Sequence, residues 1–180
     1  TDGPLALIIT PTRELAMQVA TELSWLYSHT AINFTVCVGG TSVRTEQIAL
    51  HRKPHIVVGT PGRLNDHLEK AALKLGNIRA VVLDEADEML DMGFRDELEA
   101  LLKATPKERR TLMFSATIPK GIALLAKKFQ NNAFRIEATT GAAGHADIEH
   151  IAMPIGDRDR VQAVVNILRY YDAPCTLVFC

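Results

Sequence analysis

The alternation of short apolar runs with longer stretches of helical periodicity is the feature that most constrains the fold of this chain. Six apolar runs have the length of a buried strand, at residues 5–9, 34–38, 56–59, 78–83, 111–114 and 134–136. Between them, apolar side chains recur at the spacing of an amphipathic helix in three stripes: Leu15, Val19, Leu23 and Leu26; Phe94, Leu98, Leu101 and Leu102; Ile122, Leu125, Ala126 and Phe129. Because alternating strands and helices form βαβ units, the pattern predicts an α/β fold with a parallel sheet and helices on both faces.

A stretch of small residues interrupts this pattern after Ala138 and has the composition of a flexible linker. We therefore expect a first domain over residues 1–137, a linker over 138–147 and the beginning of a second domain over 148–180. The chain also begins without Met and stops inside an apolar run, so we expect that both ends are cut from a longer protein.

The last part of the chain repeats the strand and helix pattern on a small scale. The sequence predicts a strand at 148–155, a helix carrying Val161, Val164, Val165 and Leu168, and a strand at 176–180. A tail of this length is too short to bury a hydrophobic core of its own. It is therefore interpreted as the first βαβ portion of a second domain.

Composition limits the possible classes of function. The formal net charge of −1 gives no general basic field, so any contact with nucleic acid must come from local groups. Cys37, Cys175 and Cys180 form neither a CxxC pair nor an even disulfide framework, which favours a reduced cytoplasmic setting. No apolar run reaches the roughly 18 residues of a membrane span. We assign no histidine to a metal, and we expect Trp25 and Tyr27 to be packing residues.

Two adjacent carboxylates follow the predicted strand at 78–83. Such a strand delivers Asp84 and Glu85 to the crevice outside the carboxyl ends of the strands, where ligands of open α/β sheets bind. Asp84 suits Mg²⁺, held through water, and Glu85 can orient or deprotonate a water that attacks a γ-phosphate. The alternative is that these acidic residues only begin a helix, where the helix dipole favours negative charge. Spacing alone leaves both readings open.

Three further elements follow strands in the same way. Pro11, Thr12 and Arg13 can meet a phosphate through backbone N–H groups, a hydroxyl and a guanidinium, or Thr12 can simply cap a helix. Gly39 and Gly40 permit a sharp turn or close approach by a ligand. The third element consists of Thr60, Pro61, Gly62 and Arg63, for which a plain turn before the next helix is the competing reading.

Two hydroxyl residues follow the run at 111–114. Ser115 and Thr117 can bond a carboxylate such as Asp87, or they can cap a helix that begins near Pro119. These two readings are compatible.

Read together, these segments resemble the DEAD-box ATP-dependent RNA helicases of superfamily 2, of bacterial type. Asp84-Glu85-Ala86-Asp87 spells the segment that names the family, and Ser115-Ala116-Thr117 stands about thirty residues later, as in that family. The Pro11 to Ala16 segment with Gln18, the Gly39-Gly40 pair and the Thr60 to Arg63 segment appear upstream in the family's order. The resemblance covers essentially the whole chain, including Leu177 to Cys180.

The resemblance implies a RecA-like sheet of the P-loop NTPase fold, lacking its first strand and phosphate loop, followed by the start of a second RecA-like domain. It implies ATP and Mg²⁺ as ligands, with Asp84 and Glu85 as the catalytic pair. Asp87, Ser115 and Thr117 would couple the nucleotide site to RNA. The segments at 11–13, 39–40 and 60–63 would bind the RNA backbone with little sequence preference, and protein partners are not indicated.

No GxxxxGK[ST] phosphate-binding loop occurs in these residues. Our hypothesis is therefore that the parent protein is an ATP-dependent RNA helicase, whereas the 180-residue chain by itself is inactive. Two alternatives stay open at this point. One is an RNA-binding clamp or scaffold that does not hydrolyse ATP, and the other is a DNA helicase or translocase of the same superfamily.

Overall fold

The computed structural model describes residues 3–137, 149 and 151–179. By its internal contacts the chain divides into two compact units, Thr1–Phe134 and Arg135–Cys180. The predicted linker at 138–147 lies outside the described residues, so the domain boundary stays a prediction.

The first unit is a βα alternation. Its strands are β1 (Ala6–Ile9), β2 (Phe34–Cys37), β3 (Ile56–Gly59), β4 (Ala80–Leu83) and β5 (Arg110–Met113). Its helices are α1 (Arg13–Leu26), α2 (Val43–His51), α3 (Pro61–Glu69), α4 (Ala86–Asp91), α5 (Arg95–Lys103) and α6 (Lys120–Phe129). The five strands form one sheet in the order β2-β3-β1-β4-β5, and every neighbouring pair is parallel. This confirms the predicted α/β fold.

Side-chain alternation along β1 explains why helices cover both faces of the sheet. Leu7 and Ile9 lie in one hydrophobic core, to which α2 through α6 contribute, whereas Ala6 and Ile8 contact a second core that includes Ala16 of α1. Successive residues of a strand point to opposite faces, so an apolar run without polar positions requires cover on both sides. The apolar runs predicted as strands therefore form the centre of the fold.

The second unit contains a 3-10 turn, Asp157–Asp159, and helix α7 (Arg160–Tyr171). The helix confirms the prediction made from Val161, Val164, Val165 and Leu168. Residues 149, 151–155 and 176–179 form no strand, so the strands predicted there are wrong for the described residues; Ile148, His150 and Cys180 lie outside them. A strand needs a neighbour for its backbone hydrogen bonds, and the described part of this unit offers none.

Three further expectations are corrected. The run at 134–136 is not a strand, and Phe134 and Ile136 are strongly exposed because no strand lies beside them among the described residues. Helix α2 was not predicted, since it has no apolar stripe. Trp25 is 74% exposed near the end of α1 and does not pack into the core, whereas Tyr27 does contact it. None of the described helices has both the length and the apolar character needed to cross a membrane.

Candidate functional site

The carboxyl ends of the five parallel strands bring all the predicted site residues to one edge of the sheet, here called the carboxyl edge. Along this edge, in sheet order, lie Gly39 and Gly40 after β2, the segment 60–63 after β3 and the segment 11–13 after β1. The acidic segment follows β4, and Ser115 and Thr117 follow β5. The predicted RNA-binding residues therefore occupy three adjacent strands, and the predicted catalytic and coupling residues occupy the other two.

The acidic segment is held tightly by the backbone at the end of β4. The Asp84 N–H donates to the carbonyl of Ile9 (2.9 Å), and the Ala86 N–H donates to the carbonyl of Phe114 (3.0 Å). Neighbouring strands β1 and β5 thus fix the segment from both sides. Asp84 is partly exposed and Glu85 is exposed, so both carboxylates are accessible at the carboxyl edge.

Glu85 has a left-handed backbone conformation, with φ 48° and ψ 54°, and it stands directly before α4. This conformation costs a non-glycine residue of the order of 1 kcal/mol and is often retained at functional sites. The Glu85 N–H donates to Asp84 Oδ1 (3.1 Å), which leaves the other Asp84 oxygen without a partner among the described residues. The segment does begin a helix, as the helix-start reading predicts. The catalytic reading of Asp84 and Glu85 stays a prediction.

Asp87 joins the acidic segment to the residues after β5. Asp87 Oδ2 accepts hydrogen bonds from the Thr117 N–H (2.8 Å) and the Thr117 hydroxyl (2.7 Å), and the Ser115 hydroxyl donates to the Thr117 carbonyl (2.6 Å). Burial raises the pKa of Asp87, but the hydrogen bonds from Thr117 and Ser115 outweigh it and lower the pKa to about 2. The predicted bonding to Asp87 is present for Thr117, whereas the Ser115 hydroxyl donates to the Thr117 carbonyl.

The competing reading of Ser115 and Thr117 as helix caps is wrong. Helix α6 begins at Lys120, with Pro119 before it and no side-chain cap. Both hydroxyls are engaged elsewhere, as described above.

Arg13 connects the segment after β1 to the glycine pair after β2. Thr12 caps α1 by accepting a hydrogen bond from the Leu15 N–H (3.2 Å), so the capping reading is correct. The next residue, Arg13, is exposed, and its guanidinium lies so close to Gly40 that a Cβ there would overlap it. Gly40 also has a φ of +79°, which favours glycine. The positive φ is therefore the reason for glycine at position 40, because the end of the flexible Arg13 side chain could move away from a methyl group.

The segment after β3 differs from the expected turn. Helix α3 begins at Pro61 itself, where proline is favoured because a first helical position needs no N–H. Thr60 precedes it and makes no side-chain cap. Arg63 therefore lies in the first turn of a helix. Its Nη1 donates to the carbonyl of Thr41 (3.2 Å) and to Glu46 Oε2 (2.8 Å). The glycine turn thus lies between Arg13 and Arg63.

Glu46 is a site residue that the sequence reasoning missed. This buried carboxylate of α2 accepts hydrogen bonds from the Val38 N–H (3.0 Å), the Thr41 hydroxyl, Arg63 and His67 Nε2 (2.6 Å). Burial raises the pKa of Glu46, but these hydrogen bonds outweigh it and lower the pKa below its usual value. The only signal in the sequence was a charged residue in a segment without an apolar stripe, which is also typical of an exposed loop.

Ligand atoms of Cys37, Glu46 and His67 lie within 4.8 Å of one another, a grouping that the histidine spacing did not indicate. Burial and the charge of Glu46 raise the pKa of the Cys37 thiol to about 12. The Glu46 carboxylate is already bonded directly to His67 and to the cationic Arg63. A cation would have to displace both contacts, so we read the cluster as a hydrogen-bond network and not as a metal site.

Comparison with known proteins gives concordant matches. The family model described as DEAD/DEAH box helicase matches residues 1–125. The chain is 38% identical over 177 residues to the ATP-dependent RNA helicase DbpA of Bacillus subtilis, covering 98% of this chain and 37% of that protein. It is 36% identical over 173 residues to the DEAD-box ATP-dependent RNA helicase CshA of Bacillus cereus, covering 96% of this chain and 33% of that protein.

Among solved structures, the chain is similar to a DEAD box protein from the hyperthermophile Methanococcus jannaschii. The TM-score is 0.74 and the sequence identity 40%, over 93% of this chain and 45% of that one. The chain spans about a third of the length of the two curated relatives above.

Proposed function

This chain belongs to the DEAD/DEAH box helicase family, and on that premise we propose that it is part of an ATP-dependent RNA helicase of the cytoplasm. The parent protein would couple ATP hydrolysis to RNA binding and local duplex unwinding. Relatives at 36–38% identity carry the name ATP-dependent RNA helicase. The observation that carries the proposal is the Asp84-Glu85 pair at the end of β4, joined through Asp87 and Thr117 to the end of β5.

Glu85 is the proposed catalytic base. Its exposed carboxylate stands at the edge of the sheet where ligands of α/β proteins bind, and it can orient or deprotonate the water that attacks the γ-phosphate of ATP. Asp84 has one carboxylate oxygen without a partner among the described residues, which suits a Mg²⁺ ion held through water. The ion would neutralise charge on the phosphates.

RNA would contact the other half of the carboxyl edge. Arg13 and Arg63 flank the Gly39-Gly40 turn, so guanidinium groups and exposed backbone lie together on adjacent strands. Such groups bind phosphate and sugar and do not read base edges. We therefore propose RNA binding with little sequence preference. Asp87, Ser115 and Thr117 would transmit the state of the nucleotide site, since they connect the ends of β4 and β5.

The test is RNA-stimulated ATP hydrolysis by the protein extended to the natural ends of its gene. We expect Glu85→Gln to reduce turnover by about 100-fold or more, because the amide cannot accept a proton. RNA binding should persist in this variant. Glu88→Gln is the matched control, since Glu88 is an exposed carboxylate of the same helix and should leave turnover unchanged.

The alternatives predict different results. If the extended protein binds RNA but shows no turnover with either residue at position 85, it is an RNA clamp and the catalytic assignments fail. If DNA stimulates hydrolysis as well as RNA does, the protein is a DNA helicase or translocase, because an RNA-specific enzyme senses the 2′-hydroxyl.

A further inference from the structure

The buried Glu46 carboxylate is the most highly connected polar group beside the predicted RNA-binding segments. Two of its donors, the Val38 N–H and the Thr41 hydroxyl, belong to the turn after β2. The other two, Arg63 and His67, belong to α3, which follows β3. A single carboxylate with 5% of its side chain exposed therefore joins two separate segments of the carboxyl edge.

Arg63 supplies a permanent positive charge beside Glu46, at 2.8 Å from its Oε2. The lowered pKa of Glu46 means that the carboxylate is ionised and can only accept hydrogen bonds, so His67 Nε2 carries the proton in their contact. The other ring nitrogen of His67, Nδ1, is buried without a partner.

Both protons of Arg63 Nη1 are used, one by Glu46 and one by the Thr41 carbonyl. This pair of contacts fixes the plane of the guanidinium. Nε and Nη2 of Arg63 make no hydrogen bond with the described residues, and neither is among the buried unpartnered atoms. The Arg63 side chain is 12% exposed, so a small part of a fixed guanidinium, with two unused nitrogens, is left for a ligand.

The same carboxylate fixes the turn after β2, which the Arg13 guanidinium approaches from α1. Val38 and Thr41 stand on either side of Gly39 and Gly40, and both donate to Glu46 Oε1. The Thr41 hydroxyl is also within hydrogen-bonding distance of the Val38 carbonyl (2.7 Å). With its two ends tied to one group, the turn presents Gly40 to the Arg13 guanidinium in a defined position.

We propose that Glu46 is a positioning residue for RNA binding, which holds Arg63 and the Gly39-Gly40 turn together as one preformed phosphate-binding surface. This inference rests on the proposed function. A buried ion pair adds little stability compared with apolar residues of the same volume, so stability alone gives no reason for a carboxylate here. Preformed geometry does give a reason, because a flexible arginine loses conformational entropy on binding phosphate and a fixed one loses less.

The direction in which Glu46→Gln changes RNA affinity distinguishes the positioning role from a general effect of charge. Glu46→Gln removes a negative charge near the RNA, which by charge alone should strengthen binding. The positioning role predicts the opposite, since the amide leaves Arg63 without its charged partner. Glu99→Gln is the matched control: Glu99 also lies in an ion-paired cluster, with Lys103 and Lys128, but on α5 and not among the RNA-binding segments.

The experiment measures affinity for a short single-stranded RNA at several salt concentrations, using the gene-length protein with a non-hydrolysable ATP analogue. We expect Glu46→Gln to weaken binding roughly tenfold and to reduce the slope of log affinity against log salt by about 0.7, the value for one lost phosphate contact. Arg63→Ala should weaken RNA binding by a similar factor. The double variant should bind RNA only slightly more weakly than either single variant, because both changes remove the same phosphate contact. Glu99→Gln should match the unmodified protein or bind slightly tighter.

A second variant covers the possibility that Glu46→Gln does not fold. Glu46→Asp keeps the charge, but its side chain is too short to reach both segments. We therefore expect it to weaken RNA binding, by a smaller factor than Glu46→Gln does. The inference is overturned if a folded Glu46 variant binds RNA as well as Glu99→Gln does, with an unchanged salt slope, even when its melting temperature falls. If Arg13→Ala and Arg63→Ala both leave RNA binding unchanged, the proposed RNA surface fails, whatever Glu46 does.

Discussion

At the scale of single residues, the neighbouring carboxylates of the acidic segment differ in their exposure and in their hydrogen-bond partners. Asp84 and Glu85 are accessible at the carboxyl edge, whereas Asp87 is buried and accepts two hydrogen bonds from Thr117. Glu85 has a left-handed backbone conformation between β4 and α4, at the point that divides the two groups. A strained residue at this point is consistent with selection for side-chain position over stability.

The Asp87 contact predicts a specific dependence of stability on pH. The folded-state pKa of about 2 lies below the ordinary value of 3.8 for an aspartate, so the contact contributes stability that is fully present above pH of about 4. This contribution is lost as the pH falls towards 2. We expect Asp87→Asn to lower the free energy of unfolding near neutral pH, because a neutral amide accepts weaker hydrogen bonds than a carboxylate. Urea unfolding of the 180-residue chain across this pH range measures the effect.

Asp91→Asn provides the control for this measurement. Asp91 is an exposed residue at the end of the same helix, and it makes no hydrogen bond or ion pair with the described residues. The loss of stability on acidification should be smaller in Asp87→Asn than in this control. Identical pH profiles for the two variants would contradict the assignment.

At the scale of secondary-structure elements, β3 and α3 are joined with no intervening turn. Gly59 ends β3, opposite Cys37 of β2, and only Thr60 separates it from α3. A Cβ at position 59 would overlap the Cys37 carbonyl and would lie 2.9 Å from the Leu64 side chain. The glycine therefore permits strand and helix to approach each other closely enough to place Arg63 beside Glu46.

This geometry predicts that two glycines three residues apart respond differently to alanine. Gly59→Ala should destabilise the chain by about 1–3 kcal/mol, because neighbouring backbone must move to accommodate the methyl group. Gly62→Ala should leave stability unchanged or raise it by up to about 1 kcal/mol, since no atom lies within 4 Å of its Cβ position and alanine favours helix. Thermal unfolding of both variants is the measurement. Equal losses at the two positions would refute the close-approach argument.

At the scale of the whole molecule, the overall charge bears on how the proposed RNA binding can work. With a formal net charge of −1, the protein has no basic field, so the proposed RNA binding depends on the local placement of Arg13 and Arg63. In the proposed mechanism, ATP and RNA together favour a closed arrangement of two domains, which bends a short duplex until its strands separate. Hydrolysis and phosphate release then favour the open state.

We expect the 180-residue chain alone to show no steady ATP hydrolysis, with or without RNA. Its sequence contains no GxxxxGK[ST] loop to cradle the phosphates of ATP. Phosphate release from the purified chain, measured beside the gene-length protein, tests this expectation. Steady turnover by the shorter chain that is abolished by Glu85→Gln would show that the loop is not required.

The sequence by itself determined the fold class and most positions of the candidate site. Apolar runs such as 56–59 must be covered on both faces, and a parallel strand must present the residues that follow it at its carboxyl end. These two facts were sufficient to place Asp84, Glu85 and Thr60 at one edge of a sheet. The runs at 134–136 and 176–179 were misassigned as strands. An apolar run indicates burial, but the segment forms a strand only if a neighbouring strand accepts and donates its backbone hydrogen bonds.

The sequence offered the contact of Asp87 with Thr117 as one reading, and only the tertiary structure established it and revealed the contacts of Glu46. The contact of Asp87 with Thr117 spans thirty positions of the sequence, and the contacts of Glu46 with Arg63 and His67 span 17 and 21. Such contacts depend on which strands are neighbours, and the order β2-β3-β1-β4-β5 is not written in any local pattern. Glu46 lies on α2, a segment whose sequence is also compatible with a loop. The burial of its carboxylate therefore depends on the packing of α2 against the sheet.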